Sequence, residues 1–171
     1  MTVHNFAADL DRENVEAQAP YWEHLYRQWF PDLIHMTIAP RGSLAQKQGI
    51  DRTLTLLDGT SVRTQEKIRY TARSDFLLEV DSGHGTGCML DLCQADFLCY
   101  LVKPNAIAYL WPVAALRKEW GIHGPAWLKQ YPTRRANNVT YSSINLAIPL
   151  SALPAPKVAR LLRCEMRAPR R

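Results

Sequence analysis

The spacing of apolar residues along the chain predicts one helix near its start and several strands after it. In Pro20–Phe30 the apolar residues recur at three- and four-residue intervals, and a proline suits the first turn of a helix. Short, mostly apolar runs favour strands at Leu33–Ile38, Asp75–Val80 and Ala106–Leu110. The alternating run Tyr141–Pro149 favours one more strand.

The clearest predicted element is a hairpin formed by Ile50–Leu57 and Ser61–Tyr70, which are joined around an Asp-Gly pair. Side chains alternate between the two faces of a strand, and directly paired residues share a face. Matching the apolar positions of the two strands predicts a three-residue loop, Asp58–Thr60. This register places Asp51 opposite Lys67 on one face of the hairpin.

Helical spacing also predicts helices in the second half of the chain. We expect them at Met89–Val102, Pro112–Trp120 and Ser151–Arg163, with one more turn at Ala126–Tyr131. Helices that alternate with strands in this way indicate an α/β fold with a mixed central sheet and flanking helices.

Composition narrows the class of protein. The 171 residues suit one domain, 1–171, in which 1–14 forms a polar N-terminal arm and 164–171 a basic C-terminal tail. No apolar run reaches the roughly 20 residues of a membrane span, and the first residues lack the apolar stretch of a secretory signal. Four cysteines without a Cys-x-x-Cys pair fit the reducing cytoplasm. The net charge of +5 favours a polyanionic partner.

Three polar residues of the hairpin form a candidate metal site. In the predicted register Asp51, Gln65 and Lys67 share one face, and Glu66 points to the other. Many Mg²⁺-dependent nucleases place an Asp on one strand and an acid-x-Lys sequence on its neighbour. The acidic oxygens hold the cation, and the lysine orients the attacking water and neutralises phosphate charge.

At these residues the chain resembles the PD-(D/E)xK nuclease superfamily, through Gly49-x-Asp51 and Gln65-x-Lys67. Over Tyr21–Leu153 it is similar to uncharacterised phage and prophage proteins with that core. The resemblance implies a restriction-endonuclease-like α-β-β-β-α-β core and Mg²⁺- or Mn²⁺-dependent cleavage of DNA in the cytoplasm of a bacterial host. The stretches that carry it are FPDL, QGIDRTLTLLDG, EKIR, DFLLEV and AIAYLWP.

The chain departs from the family pattern at one position. Gln65 stands where the family has Asp or Glu, and it offers an oxygen ligand without charge, which weakens the expected binding of Mg²⁺. Glu23 of the first helix is a candidate second carboxylate, as are Asp75 and Glu79. The candidate DNA contacts are Arg63, Arg69, Arg134 and Arg135, the last two in a predicted loop.

Other functions stay open at this point. A catalytically degenerate nuclease fold would bind DNA or a host defence protein, and an assembly component of a phage or a homodimer is also compatible with the sequence. A zinc site is a further alternative, because His84, Cys88, Cys93 and Cys99 are zinc-type ligands, although their spacing is poor.

Overall fold

The computed structural model describes residues 16–81, 89–137 and 142–161. Two short 3-10 turns, Lys103–Asn105 and Leu150–Ala152, connect some of the longer elements. The helices are α1 (Tyr21–Trp29), α2 (Leu44–Lys47), α3 (Met89–Leu92) and α4 (Val113–Gln130). The strands are β1 (Leu33–Ile38), β2 (Arg52–Leu56), β3 (Ser61–Arg69), β4 (Asp75–Asp81), β5 (Phe97–Val102), β6 (Ile107–Pro112), β7 (Thr133–Asn137), β8 (Ser142–Pro149) and β9 (Lys157–Arg160).

The strands form two sheets. The larger sheet has six strands in the order β1-β2-β3-β5-β6-β9, and the smaller has three in the order β4-β8-β7. In the larger sheet β3 and β5 run parallel, and every other neighbouring pair is antiparallel. The expected α/β class with a mixed central sheet and flanking helices is therefore confirmed.

The two faces of the larger sheet are covered by different layers. Along β5, Cys99 and Leu101 belong to the apolar cluster that includes the buried face of α1. Leu98 and Tyr100 belong to a second cluster, to which the smaller sheet and α4 contribute. Because side chains alternate along a strand, β5 is buried on both faces. The even-numbered residues of β5 thus define the face that meets the smaller sheet.

The predicted hairpin is present, but its register differs by two residues from the expected one. Arg52 pairs with Thr64 and Leu54 with Val62, so apolar positions do face apolar positions as expected. The turn lies one residue earlier than expected, because the Leu56 amide donates to the Thr60 carbonyl at 2.9 Å and the Gly59 amide donates to the Leu56 carbonyl at 2.9 Å. Within this turn the side chain of Asp58 accepts a hydrogen bond from the Thr60 amide at 2.8 Å, as in an Asx turn. Asp51 consequently lies outside the paired ladder.

Three predicted helices are corrected by the structure. The segment expected as one helix at Met89–Val102 is helical only at its start, in α3, and forms β5 from Phe97 onward, because an apolar strand buried on both faces lacks a diagnostic period. The helix expected at Pro112–Trp120 continues to Gln130, through Gly124 and Pro125. Gly124 allows close packing, since a Cβ there would lie 3.0 Å from the Trp120 ring.

The chain end and the predicted arginine loop are also corrected. The expected helix Ser151–Arg163 is a 3-10 turn followed by β9, which pairs with β6. Arg134 and Arg135 lie in β7 rather than in a loop. The predicted arm 1–14, most of the loop Asp81–Gly87 and the tail 164–171 lie outside the described residues. Within the described residues, no helix is long and apolar enough to cross a membrane.

Candidate functional site

Asp51 is held between β1 and β3 just before β2 begins. Its carbonyl accepts a hydrogen bond from the Ala39 amide at 2.9 Å, and its amide donates to the Thr64 carbonyl at 2.8 Å. Beyond the last residue pair of the hairpin, Oδ2 of Asp51 accepts a hydrogen bond from the Glu66 amide at 2.7 Å. The backbone of Asp51 is therefore held on both sides, by Ala39 at the end of β1 and by β3, and its carboxylate is fixed against the backbone of β3.

Burial dominates the electrostatics of Asp51. The pKa of its carboxyl is raised from 3.8 to about 6, chiefly because burial removes the charged form from water and also because the negative charge of Glu66 lies nearby. The Glu66 amide and the positive charges of Lys67 and Arg52 act in the opposite direction. The group is ionised in neutral solution but gains a proton under mildly acidic conditions, which is typical of a functional carboxyl.

Gln65 presents an oxygen that lacks a hydrogen-bond partner. Its Oε1 is buried and accepts no hydrogen bond from the described residues, although a buried amide oxygen normally has a partner. The amide is packed closely, because a Cβ on Gly49 would lie 3.3 Å from Nε2 of Gln65 and 3.3 Å from Sγ of Cys93. The φ of +70° at Gly49 also favours glycine there.

Lys67 lies two residues beyond Gln65, and alternation along β3 puts both side chains on the same face. In the parallel pairing with β5, Gln65 and Lys67 stand beside Leu98 and Tyr100. The positive charge of Lys67 lowers the pKa of the Asp51 carboxyl. Asp51, Gln65 and Lys67 are thus brought together, even though the predicted register of the hairpin is wrong.

The opposite face of β3 carries a buried charged network. Arg52 forms an ion pair with Glu66 at 2.7 Å, and the hydroxyl of Tyr26 in α1 donates to the Glu66 carboxylate at 2.8 Å. Glu66 therefore points away from Gln65 and Lys67, as expected. Because the amide of Glu66 also binds the Asp51 carboxylate, this network holds the part of β3 on which the site depends.

The other acidic candidates are not brought to Asp51. Glu23 lies on α1, which covers the opposite face of the sheet, and forms an exposed i,i+4 ion pair with Arg27 at 2.8 Å. Asp75, at the start of β4, is paired with Arg69 at 2.9 Å. Glu79 alternates with the buried residues of β4 and so lies on the other side of that strand.

The four candidate DNA-binding arginines fall into three groups. Arg63 forms a two-pronged, exposed ion pair with Asp96, at 2.8 and 3.1 Å, at the edge of an open cavity of about 550 Å³. Arg69 and Arg134 both approach Asp75, the second at 3.8 Å. Arg135 is exposed. The structure does not gather all four arginines around Asp51.

The oxygen atoms of Asp51 and Gln65 fit a hard cation, although only one of them belongs to a carboxylate. Asp51 supplies a charged oxygen, and the unpartnered Oε1 of Gln65 is an oxygen of the kind that Mg²⁺ accepts. Among the described residues no group of three or more His, Cys, Asp or Glu side chains is arranged to hold a metal.

The zinc alternative is not supported by the placement of its cysteines. Cys93 and Cys99 belong to apolar clusters on opposite faces of the larger sheet. They therefore do not share a site. The other two candidate ligands, His84 and Cys88, lie outside the described residues.

No protein-family model, curated protein or solved structure matches this chain. The residues of the site therefore carry the functional interpretation. The sequence alone does not reveal that Gly49 lies against Gln65 and accepts a hydrogen bond from the Cys93 thiol, because Cys93 is 44 residues away from Gly49 and falls in a segment whose spacing predicts a helix. The glycine two positions before Asp51 is a local signal that could have indicated close packing here.

Proposed function

We propose that this protein is a metal-dependent nuclease of phage type, which hydrolyses DNA phosphodiester bonds in the cytoplasm of a bacterial host. The observation that carries the proposal is the meeting of Asp51, Gln65 and Lys67 beside one face of β3. These residue types are the ones that metal-dependent phosphodiester hydrolysis requires, namely oxygen ligands beside a fixed positive charge.

The roles follow from the chemistry of each group. Asp51 and the oxygen of Gln65 would hold Mg²⁺ or Mn²⁺, and the bound ion would supply Lewis-acid chemistry and lower the pKa of a water molecule. Lys67 would orient the attacking water and stabilise the negative charge that develops on the phosphate. Glu66 and Arg52 act on the other face of β3, where they position the amide that binds Asp51.

The topology supports a restriction-endonuclease-like core. A helix, α1, precedes three antiparallel strands, β1 to β3, and β5 then runs parallel to β3. This order agrees with an α-β-β-β-α-β arrangement. Between β3 and β5, however, the chain inserts β4 and only the short helix α3. The family assignment therefore remains part of the proposal.

A cleavage assay tests the proposal directly. Linear, supercoiled, single-stranded and branched DNA would be incubated with the protein in Mg²⁺, Mn²⁺ or EDTA. We expect metal-dependent cutting that disappears in Asp51→Asn and Lys67→Ala, and survives in Glu23→Gln, the matched carboxylate change on α1. Cutting that persists in folded Lys67→Ala would assign the activity to other residues.

A second candidate is a catalytically degenerate nuclease fold that binds DNA or a host defence protein. One observation favours it: among Asp51, Gln65 and Lys67 there is a single carboxylate, and burial raises the pKa of that carboxyl. This module would bind DNA with a salt-dependent affinity that survives both Asp51→Asn and Lys67→Ala. If no DNA binds, affinity capture from the bacterial host tests the protein partner.

A further inference from the structure

Two arginines share one carboxylate at the far end of β3. Arg69 of β3 donates to Oδ1 of Asp75 at 2.9 Å, and Arg134 of β7 lies 3.8 Å from Oδ2 of the same residue. The cluster joins the larger sheet to the smaller one, since β3 belongs to the first and β4 and β7 to the second. With two arginines and one aspartate, the cluster carries a net charge of +1.

The two guanidinium groups are incompletely satisfied. Nε of Arg69 and Nε of Arg134 are buried, and neither donates a hydrogen bond to the described residues. Such groups normally have partners, because burying a donor without an acceptor is unfavourable. The Arg134 side chain keeps 41% of its surface exposed, whereas that of Arg69 keeps 13%. An anion from solution can thus approach the cluster at Arg134.

We propose that Arg69 and Arg134 bind a phosphate of the nucleic-acid backbone next to the one that is cut, an inference that rests on the proposed nuclease function. Arg69 lies on the same face of β3 as Lys67, two residues further along. Side chains at this spacing are about 6.6 Å apart along a strand, close to the separation of neighbouring phosphates in a nucleic-acid chain. A guanidinium fork is well suited to a phosphate.

The proposed phosphate site contains a negative charge as well as two positive ones. The Asp75 carboxylate competes with a phosphate for Arg69 and Arg134. The Asp75 carboxylate holds Arg69 in place in the absence of DNA, and it also reduces the attraction of the cluster for an anion. Removing its charge should therefore strengthen binding of a phosphate. Removing the charge of Arg134 should weaken it. These opposite effects distinguish a phosphate site from a purely structural ion-pair network.

The experiment uses neighbouring arginines as a matched pair. Arg134→Gln and Arg135→Gln each remove one charge from β7, but adjacent residues of a strand point to opposite faces. Binding of a fluorescein-labelled DNA duplex would be followed by fluorescence anisotropy in EDTA over a series of KCl concentrations. Loss of one phosphate contact should weaken binding about eightfold at 0.1 M salt and reduce the salt slope by about 0.9.

We expect that loss for Arg134→Gln, a much smaller effect for Arg135→Gln, and tighter binding for Asp75→Asn. Equal losses for the two arginine variants, or weaker binding by folded Asp75→Asn, would overturn the proposal. A thermal melt of each variant checks that it is folded. Inorganic phosphate as a competitor distinguishes a general anion site, which it would occupy, from one that needs the DNA backbone. Because EDTA prevents metal-dependent cutting, failure of the nuclease proposal would leave these binding results intact.

Discussion

Replacing Asp51 with asparagine should make the metal-free protein more stable at neutral pH. The pKa of the carboxyl is 3.8 in its reference state and about 6 in the folded protein. The difference between these two pKa values corresponds to a free-energy cost of about 3 kcal/mol for keeping the folded carboxyl charged, at about 1.36 kcal/mol per pKa unit. The folded state binds this proton more tightly than the unfolded state does. The contribution of Asp51 to stability therefore falls as the pH rises from about 4 to 6, and its full cost persists above pH 6.

Asparagine avoids this cost because it carries no charge, and its side-chain oxygen can still accept the hydrogen bond from the Glu66 amide. The free energy of unfolding of Asp51→Asn should exceed that of the wild type by up to about 3 kcal/mol at pH 7.5. The two proteins should be nearly equal near pH 4. For a chain of this length the difference corresponds to a rise of about 6–12 °C in Tm.

Urea unfolding in EDTA, measured for both proteins between pH 4.5 and 8, gives the stability difference directly. Glu23→Gln is the control, because the side chain of Glu23 is 52% exposed and its neutralisation should produce no comparable pH-dependent gain. A stability difference between Asp51→Asn and wild type that does not change with pH would refute the reasoning. Added Mg²⁺ should stabilise the wild type and leave Asp51→Asn unchanged, since a ligand stabilises only the protein that binds it.

Three further changes probe the site and its support. Gln65→Glu adds a second carboxylate beside Asp51, so the Mg²⁺ concentration for half-maximal cleavage should fall by about tenfold; an unchanged requirement in a metal titration would remove Gln65 from the ligand set. Gly49→Ala places a Cβ in close contact at a φ of +70° and should lower the free energy of unfolding by about 1–2 kcal/mol, as measured in urea. Arg52→Met leaves the buried Glu66 carboxylate without its ion pair and should cost about 3–5 kcal/mol; a loss below 1 kcal/mol in the same assay would show that Glu66 is solvated.

The faces of the β2–β3 hairpin were predictable, whereas its register was not. The period-two pattern identifies which residues share a face, and any even shift of register preserves that assignment. Gln65 and Lys67 therefore appear together, and Glu66 points away from them. The two-residue shift reflects a turn that begins one residue earlier, closed by the hydrogen bond from the Leu56 amide to the Thr60 carbonyl and accompanied by the bond from the Thr60 amide to the Asp58 side chain. The apolar pattern does not encode where that turn begins.

Long-range packing explains why the sequence mispredicts β5, β9 and the position of Glu23. The run at Phe97–Val102 is apolar at every position because both faces of β5 are covered, so it carries no period that distinguishes a strand from a helix. The segment Lys157–Arg160 is a strand because it pairs with the edge of β6, a strand that lies far away in the sequence. The sequence cannot exclude Glu23 as a ligand, because the side of the sheet that α1 covers depends on long-range packing that the local sequence does not contain.

The end of the larger sheet at β9 has a consequence for self-association. Gln28 of α1 donates from Nε2 to the Arg160 carbonyl at 3.0 Å and accepts from the Arg160 amide at 3.4 Å. Its side-chain amide thus occupies the place where another strand would add. At the other edge of the sheet, the corresponding contact lies at the very start of β1, where Nη1 of Arg27 donates to the Leu33 carbonyl at 2.8 Å. A sheet with one sealed edge can join a second copy through the open edge, but the resulting pair cannot grow into a fibre through this sheet.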